Sequence, residues 1–170
     1  METKRLKIRQ IITSDYENIF ELYQNDKVRK YLWWVKNEKE FNESFDAFIA
    51  PKDNEFYWII LDKTNESFIW FISLSQYHET NDYEISYQLN DLYWWKWYAQ
   101  EALLRILEFW FTELNLAEIY AETQIKNKPS IKLWQKVWME VEWELVRHWE
   151  KQLVFFLSRN YFFSHKWKWK

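Results

Sequence analysis

The sequence predicts a mixed α/β domain with a largely antiparallel central sheet flanked by helices, in the order β-α-α-β-β-β-α-β-α-β-β. Three consecutive β-rich runs, residues 55–61, 67–76 and 82–89, are separated only by short polar stretches, which is typical of an antiparallel meander. Segments with apolar residues at helical spacing lie on both sides of this meander. The chain has 170 residues, of which 48% are hydrophobic, so we expect one domain over residues 1–170.

Three elements are predicted before the meander. Residues 4–12 alternate apolar and polar side chains, which favours a strand. Ser14 and Glu17 match the capping box that begins a helix, and Asn37 and Glu40 repeat this pattern for a second helix. The apolar side of the second helix consists of phenylalanines at helical spacing: Phe41, Phe45 and Phe48.

The pattern becomes helical again from Tyr98 onward. One face of this long helix is apolar and carries Leu103, Ile106, Leu107 and Trp110. Residues 117–125 then predict a strand, residues 130–137 a short helix, and residues 139–147 with 152–159 a final hairpin. We found no linker, internal repeat or low-complexity segment that would divide this array.

The composition argues against several kinds of partner and site. A net charge of -3 gives no general attraction to nucleic acids or anionic membranes. The chain has no cysteine, and its three histidines are too scattered for metal-ligand spacing, so we expect no metal site. Residues 1–9 contain no continuous hydrophobic stretch, which excludes a signal peptide or membrane span there. A cytoplasmic location without membrane partners is therefore expected.

The absence of glycine is the abnormal feature of the composition. Average usage near 7% predicts about 12 glycines in a chain of this length, whereas the sequence has none and has 14 tryptophans. Trp33 and Trp34 end a helical segment, and Trp149 lies in the predicted hairpin turn, all of them places where glycine is expected. We interpret most of the tryptophans as standing in place of glycine. Trp58 and Trp94 fit their own positions.

The loop between the third meander strand and the long helix has a recognisable pattern. Its central residues are Trp94, Trp95, Lys96, Trp97, Tyr98 and Ala99. It resembles the pyrophosphate loop of the GNAT superfamily of N-acetyltransferases, whose signature is Gln or Arg, two free positions, Gly, one free position, then Gly or Ala. In the ribosomal-protein-alanine acetyltransferase branch (RimJ/RimL-like), the loop commonly reads Tyr-Trp-Gly-Lys-Gly-Tyr-Ala. Only Trp95 and Trp97 depart from that form.

Glycine suits such a loop for physical reasons. Successive backbone N–H groups at a helix N-terminus form an anion site, and a phosphate must approach the main chain closely. Glycine permits positive φ and leaves room for the phosphate, whereas an indole at Trp97 would occupy that space. The resemblance therefore implies an acetyl-CoA site in this loop, which Trp95 and Trp97 would obstruct.

A second element strengthens the resemblance. Asn127 and Ser130 match the Asn-x-x-Ser stretch of the family, and Trp138 and Trp143 hold the glycine positions of the turn and Glu-Gly that follow. The resemblance spans residues 4–159. It implies that Asn127 helps to hold the pantetheine arm and that Ser130 donates a hydrogen bond to the leaving sulfur. An N-cap for Ser130 and a turn-forming role for Asn127 are the structural alternatives.

The meander strand before the loop supplies the remaining implied site residues. Glu84 resembles the glutamate that accepts the amine proton, usually through water, although an exposed strand carboxylate would give the same pattern. The backbone of Tyr87, Gln88 and Leu89 matches the stretch that hydrogen-bonds the pantetheine arm. Acetyl transfer needs these roles because the amine must be neutral when it attacks and the departing thiolate must be protonated.

The resemblance implies an acetyl-CoA-dependent N-acetyltransferase that acts on a primary amine, either a small molecule or a protein N-terminus. Members of the family often pair through their C-terminal strands, which makes a homodimer one option, although the sequence itself leaves the oligomeric state open. One alternative is an inactive GNAT-like domain, because Trp95 and Trp97 block the loop. A weaker alternative is a module for single-stranded nucleic acid, since 22% of the residues are aromatic and residues 166–170 alternate lysine with tryptophan. We expect residues 164–170 to be a flexible basic tail and nucleic acid not to be a partner.

Overall fold

A computed structural model describes residues 1–32, 35–79, 82–93 and 98–166 and confirms the mixed α/β class. The sheet has seven strands in the order β1-β2-β3-β4-β5-β7-β6, and its neighbours are antiparallel except for the parallel pair β4 and β5. The strands are β1 (Leu6–Gln10), β2 (Phe56–Asp62), β3 (Phe68–Gln76), β4 (Tyr83–Leu89), β5 (Glu118–Gln124), β6 (Glu140–Arg147) and β7 (Glu150–Ser158). The helices are α1 (Tyr16–Gln24), α2 (Asp26–Arg29), α3 (Glu38–Ile49), α4 (Tyr98–Thr112), α5 (Lys128–Lys136) and α6 (Arg159–Lys166).

Both faces of the sheet are covered by helices. Alternate side chains of a strand point to opposite faces, so Ile59 and Phe71 meet α1 and α3 while Ile60 and Ile72 meet α4. Helix α4 contributes the apolar residues predicted from its spacing, and all of them are buried: Leu103, Ile106, Leu107 and Trp110. The described helices are too short or too polar to cross a membrane.

The two predicted capping boxes have different outcomes. Asn37 accepts a hydrogen bond from the backbone N–H of Glu40 at 3.0 Å, and the Glu40 carboxylate accepts one from the backbone N–H of Asn37 at 3.0 Å, as predicted. The Ser14 capping box is wrong. Asp15 takes over the start of this segment, because its carboxylate accepts the backbone N–H of Ile12 at 2.8 Å and binds Arg9 at 2.7 Å. A 3-10 turn (Thr13–Asp15) therefore precedes α1.

Two helices of the structure, α2 and α6, were not predicted from the sequence. Helix α2 has only four residues, too few to show a period, and its N-cap is Asn25, whose side chain accepts the backbone N–H groups of Lys27 and Val28. Helix α6 includes residues 164–166, which were predicted to belong to a flexible tail. Phe162 anchors it in the core, and Lys166 forms an ion pair with Glu108. Residues 167–170 lie outside the described residues.

Several tryptophans occupy backbone or core positions that are unusual for an indole. Trp138, just after α5, has φ 65°, and Trp149, in the β6–β7 turn, has φ 67° and is 98% exposed. This left-handed region favours glycine because a Cβ is strained there. Within the described part of the chain, buried indole N–H groups lack a hydrogen-bond partner at Trp70, Trp110 and Trp134. Trp33 and Trp34 lie outside the described residues.

Candidate active site

The central cleft forms where β4 and β5 separate. These parallel neighbours pair in the described structure at Tyr83↔Ile119 and Glu84↔Tyr120. Beyond these pairs, β4 continues along β3 to Leu89 while β5 continues along β7 to Gln124. The space between the two strands is a cavity of about 700 Å³, a size typical of small-molecule sites.

Helix α2 closes the side of the cavity next to β4. The Arg29 guanidinium donates to the Gln88 side chain at 3.0 Å and to the backbone carbonyl of Leu32 at 2.8 Å. Arg29 also lies over the Tyr23 ring, 4.8 Å from its centroid, and burial lowers the Arg29 pKa. On the β5 side, Gln124 donates to the backbone carbonyl of Tyr31 at 3.2 Å. Tyr31 and Leu32, which follow α2, are thus held across the cleft. The predicted residues Tyr87, Gln88 and Leu89 all line the cavity.

The N-terminus of α4 lies at the same cavity. Of the predicted loop, Trp94, Trp95, Lys96 and Trp97 lie outside the described residues. Tyr98 is the first residue of α4 and donates its hydroxyl to Asp62 at 2.9 Å, and Ala99 lines the cavity. On the other flank of the loop, Asp91 accepts from the Asn25 amide at 3.2 Å and from the Lys27 ammonium at 3.4 Å. Both flanks of the loop are therefore anchored.

The N-terminus of α5 forms the opposite wall of the cleft. Asn127 is the N-cap, and its side chain accepts the backbone N–H of Ser130 at 3.3 Å. Ser130 is therefore not the cap, which leaves its hydroxyl available for another contact. The Ser130 side chain lies near the Tyr87 hydroxyl and lowers the Tyr87 pKa, in opposition to burial. Burial raises the pKa of Tyr87 to about 12, so this pair of hydroxyl groups keeps its protons near neutral pH.

Glu84 lies at the base of the cleft, where β4 and β5 still pair, and is partly buried rather than exposed. Burial, together with the nearby Glu122 carboxylate, raises the pKa of Glu84 to about 7. Arg147 and a hydrogen bond from the backbone N–H of Glu122 act in the opposite direction. A carboxyl group with this pKa can take and release a proton near neutral pH.

Three residues that the sequence analysis did not identify surround this carboxyl group. Arg147 donates from Nε and Nη2 to the two oxygens of Glu122, at 2.8 Å and 3.2 Å. The Tyr77 hydroxyl also donates to Glu122, at 3.3 Å. Glu122 lines the cavity, although its side chain is only 8% exposed. The signal in the sequence that could have indicated Glu122 was its place inside a predicted strand, because a carboxylate there is rarely buried without a charged partner.

The rim of the cavity is basic. Lysines from α2, from its C-cap and from α5 line it: Lys27, Lys30, Lys132 and Lys136. Lys27 is paired with Asp91, and the Lys30 ammonium lies 5.3 Å from the centroid of the Tyr31 ring. Over the described ranges, no cluster of three or more side chains is suited to hold a metal ion.

Comparison with known proteins decides the family. Residues 5–140 match the model of the acetyltransferase (GNAT) domain. The chain belongs to the GNAT acetyltransferase family. It is 33% identical over 143 residues to the uncharacterized N-acetyltransferase YnaD of Bacillus subtilis, covering 82% of each chain.

Solved acetyltransferases share the fold of this one. A spermidine N-acetyltransferase from Vibrio cholerae, in complex with CoA and spermine, superposes with a TM-score of 0.83 at 17% identity, over 95% of this chain and 99% of that one. A ribosomal-protein-S5-alanine acetyltransferase from Vibrio fischeri superposes with a TM-score of 0.74 at 18% identity, over 94% and 96%. At these identities, the likeness concerns the fold.

The structure of this acetyltransferase brings most of the predicted residues to one cleft. Ala99, Asn127, Ser130 and the three β4 residues line the cavity. Glu84 is not among the lining residues; it lies where β4 and β5 still pair, near Glu122, which does line the cavity.

Proposed function

We propose that this acetyltransferase takes an acetyl group from acetyl-CoA and transfers it to a primary amine in the cleft between β4 and β5. The observation that carries the proposal is the separation of the two strands beyond Glu84 around a cavity of about 700 Å³. Residues from β4, α4 and α5 meet there. The Vibrio cholerae relative of the same fold holds CoA, which supports acetyl-CoA as the donor.

The residues present fit the donor. Because the backbone of β4 borders the cavity where β5 has moved away, residues 87–89 can hydrogen-bond an extended pantetheine arm in the manner of a strand. Asn127 lies at the end of this path. The N-terminus of α4 provides backbone N–H groups and the positive end of the helix dipole for a pyrophosphate. The lysines of the rim add positive charge on this side of the molecule.

The residues at the base of the cleft provide the proton transfers. An acetyl thioester supplies an activated acyl carbon. The amine nitrogen forms a bond to that carbon and the carbon–sulfur bond breaks, so the amine loses a proton and the sulfur gains one. We assign Glu84 as the base that accepts the amine proton. We assign Ser130, supported by the Tyr87 hydroxyl, as the hydrogen-bond donor to the sulfur.

The acceptor is a primary amine, and two classes follow from the relatives. One Vibrio protein is named for spermidine and the other for an alanine of a ribosomal protein. The loop sequence favours a protein N-terminus, because it resembles the ribosomal-protein branch. A panel that contains spermidine and a peptide beginning with alanine separates the two classes.

The tryptophans bear directly on this activity. We propose that the active protein has glycine at most tryptophan positions, including Trp95 and Trp97. The left-handed backbone of Trp138 and Trp149 and the unpartnered indole N–H groups of Trp70 and Trp110 support this reading. With tryptophan at positions 95 and 97, donor binding is expected to be weak, and the chain would be an inactive variant of the fold.

Release of the CoA thiol in the presence of the amine panel tests the proposed reaction. Because the chain with tryptophan at positions 95 and 97 is expected to be inactive, W95G/W97G is the parent of every variant whose turnover is measured. Because E84Q removes the base, we expect it to lower kcat/KM by about 100-fold or more. The matched control is E144Q, since Glu144 is an exposed carboxylate on β6, and its kcat/KM should match the parent's. Equal turnover of E84Q and the parent would contradict the assignment of Glu84.

The homodimer is a further part of the proposal. Strand β6 forms one of the two edges of the sheet. Its Val141 and Val146 are 47% and 66% exposed. An exposed edge with apolar side chains suits pairing with a second copy. Sedimentation equilibrium should give twice the chain mass, and a monomer at micromolar concentration would contradict the dimer.

A further inference from the structure

Two carboxylates from different strands meet at the base of the cleft. The Cα of Glu84 pairs with the Cα of Tyr120, two residues before Glu122 on β5. Residues two apart on a strand point to the same face, so Glu122 follows Tyr120 on the face that Glu84 occupies. The backbone N–H and the carboxylate of Glu122 both influence the pKa of Glu84, as expected for two neighbouring groups on one face of the sheet.

Glu122 is held in place by its own partners. Arg147 contacts both of its oxygens and also donates to Glu79 at 2.8 Å. Tyr77 is fully buried, stacks on Tyr120 with ring centroids 5.6 Å apart, and directs its hydroxyl to Glu122. A two-point arginine contact is a strong charge-assisted interaction that fixes the orientation of a carboxylate.

We propose that Glu122 is a positioning residue for acetyl transfer: fixed by Arg147, its carboxylate keeps Glu84 as the proton acceptor and presents negative charge to the acceptor ammonium at the cavity wall. This inference rests on the proposed function of Glu84. Glu122 lines the cavity and Glu84 lies behind it at the strand junction, so an amine that enters as an ammonium meets Glu122 first.

The charged groups around Glu84 explain how Glu122 influences the pKa of Glu84. The titratable and charged groups of this cluster are Tyr77, His78 and Glu79 from the connection after β3, Tyr120 and Glu122 from β5, and Arg147 from β6. One guanidinium faces three carboxylates, and two of its contacts go to Glu122. A fixed negative charge beside Glu84 disfavours its ionised form and raises its pKa, while Arg147 limits that rise. A base with a pKa near the working pH is the most effective one.

E122Q should change the pH dependence of kcat/KM in one direction. Glu84 acts as a base only when it is ionised, so kcat/KM falls as the pH drops below the Glu84 pKa of about 7. The E122Q substitution removes the neighbouring negative charge and keeps the shape of the side chain. The Glu84 pKa should therefore fall, and the acidic limb of the profile should move to lower pH.

The test is a titration of the Glu84 carboxyl carbon by NMR in the full chain labelled with 13C-glutamate, with the resonance assigned from E84Q. This readout does not require bound donor. We expect the midpoint to fall by about 1 pH unit or more in E122Q, in line with the usual effect of an adjacent charge. E79Q removes the negative charge of another Arg147 partner but leaves Glu122 in place, so its midpoint should stay within about 0.3 units of the parent's.

Further variants separate this inference from the proposed function. E122D keeps the charge and should restore most of the midpoint, which a purely structural role would not require. An unchanged midpoint in folded E122Q, or equal shifts in E79Q and E122Q, would overturn the inference even if E84Q has lost turnover. Undiminished turnover of E84Q would instead overturn the proposed role of Glu84, and with it the reason for positioning that residue.

Discussion

Strand β5 has two unlike sides. Toward β7 it pairs along its whole length, with seven register pairs from Glu118 to Gln124. Toward β4 it pairs at two positions only in the described structure and then diverges around the cavity. The same strand therefore forms part of the rigid sheet on one side and the wall of the active site on the other. The difference shows that the site arises where a ladder of backbone hydrogen bonds stops while the strands themselves continue.

The largest effect is expected from a substitution on the fully paired side of β5. Phe155 on β7 pairs with Ala121 of β5 and is fully buried, so F155A should lower the free energy of unfolding by about 3–5 kcal/mol. Urea unfolding measures this change, and V146A at the exposed edge should stay within about 0.5 kcal/mol of the parent. A loss below about 1 kcal/mol for F155A would show that this side is not the rigid part of the sheet.

A smaller effect is expected on the side of the cleft. Ser130 is held by the N-cap Asn127 and contacts the Tyr87 hydroxyl. Because S130A removes the proposed donor to the leaving sulfur, kcat should fall by about 10- to 100-fold. Stability should change little, because the helix cap is Asn127 and remains. Steady-state kinetics and urea unfolding, run on the same sample, check the two halves of this prediction.

Y87F sharpens this result. It removes the hydroxyl that supports Ser130 and keeps the ring that packs on Trp134, with centroids 5.2 Å apart. We expect a decrease in kcat in the same direction as S130A but smaller, with KM for the donor unchanged. An unchanged kcat in both variants would remove the pair of hydroxyl groups from the mechanism.

The smallest effect concerns the turn between β6 and β7. Trp149 is almost fully exposed at φ 67°, so W149G loses no buried contact and relieves a left-handed backbone. We expect a gain of about 1 kcal/mol in the free energy of unfolding. W58G is the opposite control, since Trp58 is 4% exposed in the core and should be strongly destabilising when truncated. Equal destabilisation in both variants would contradict the interpretation that Trp149 stands in place of glycine.

Periodicity predicted the regular elements well because their patterns are local. The meander, α4 and the last hairpin have alternation or helical spacing over seven or more residues. Helix α2 has four residues, and its Asn25 cap gives no periodic signal. Helix α6 was missed because its aromatic residues are consecutive rather than spaced by a turn. Its stability comes from Phe162 in the core and the Lys166 contact with Glu108, neither of which is visible locally.

The residues of the candidate site also fall into two groups, those that the sequence predicted and those that it did not. Glu84, Asn127 and Ser130 were found through resemblance to family motifs, and the fold brings them to one cleft. Glu122 and Arg147 are 25 residues apart and meet only because β5, β7 and β6 are adjacent in the sheet. That order could not be deduced from the strands alone. Tyr77 was predicted to lie in a polar connection, yet it is fully buried because it stacks on Tyr120.

The measurement that tests the acetyl-CoA site most directly is calorimetric titration of acetyl-CoA into W95G/W97G, the parent chain and W149G. Glycine at positions 95 and 97 frees the N-terminus of α4 for a pyrophosphate. We therefore predict saturable binding to W95G/W97G with at least about 10-fold higher affinity than to the parent, a gain of about 1.4 kcal/mol. W149G should bind like the parent. A W95G/W97G protein that is folded by circular dichroism and binds no acetyl-CoA would contradict the account.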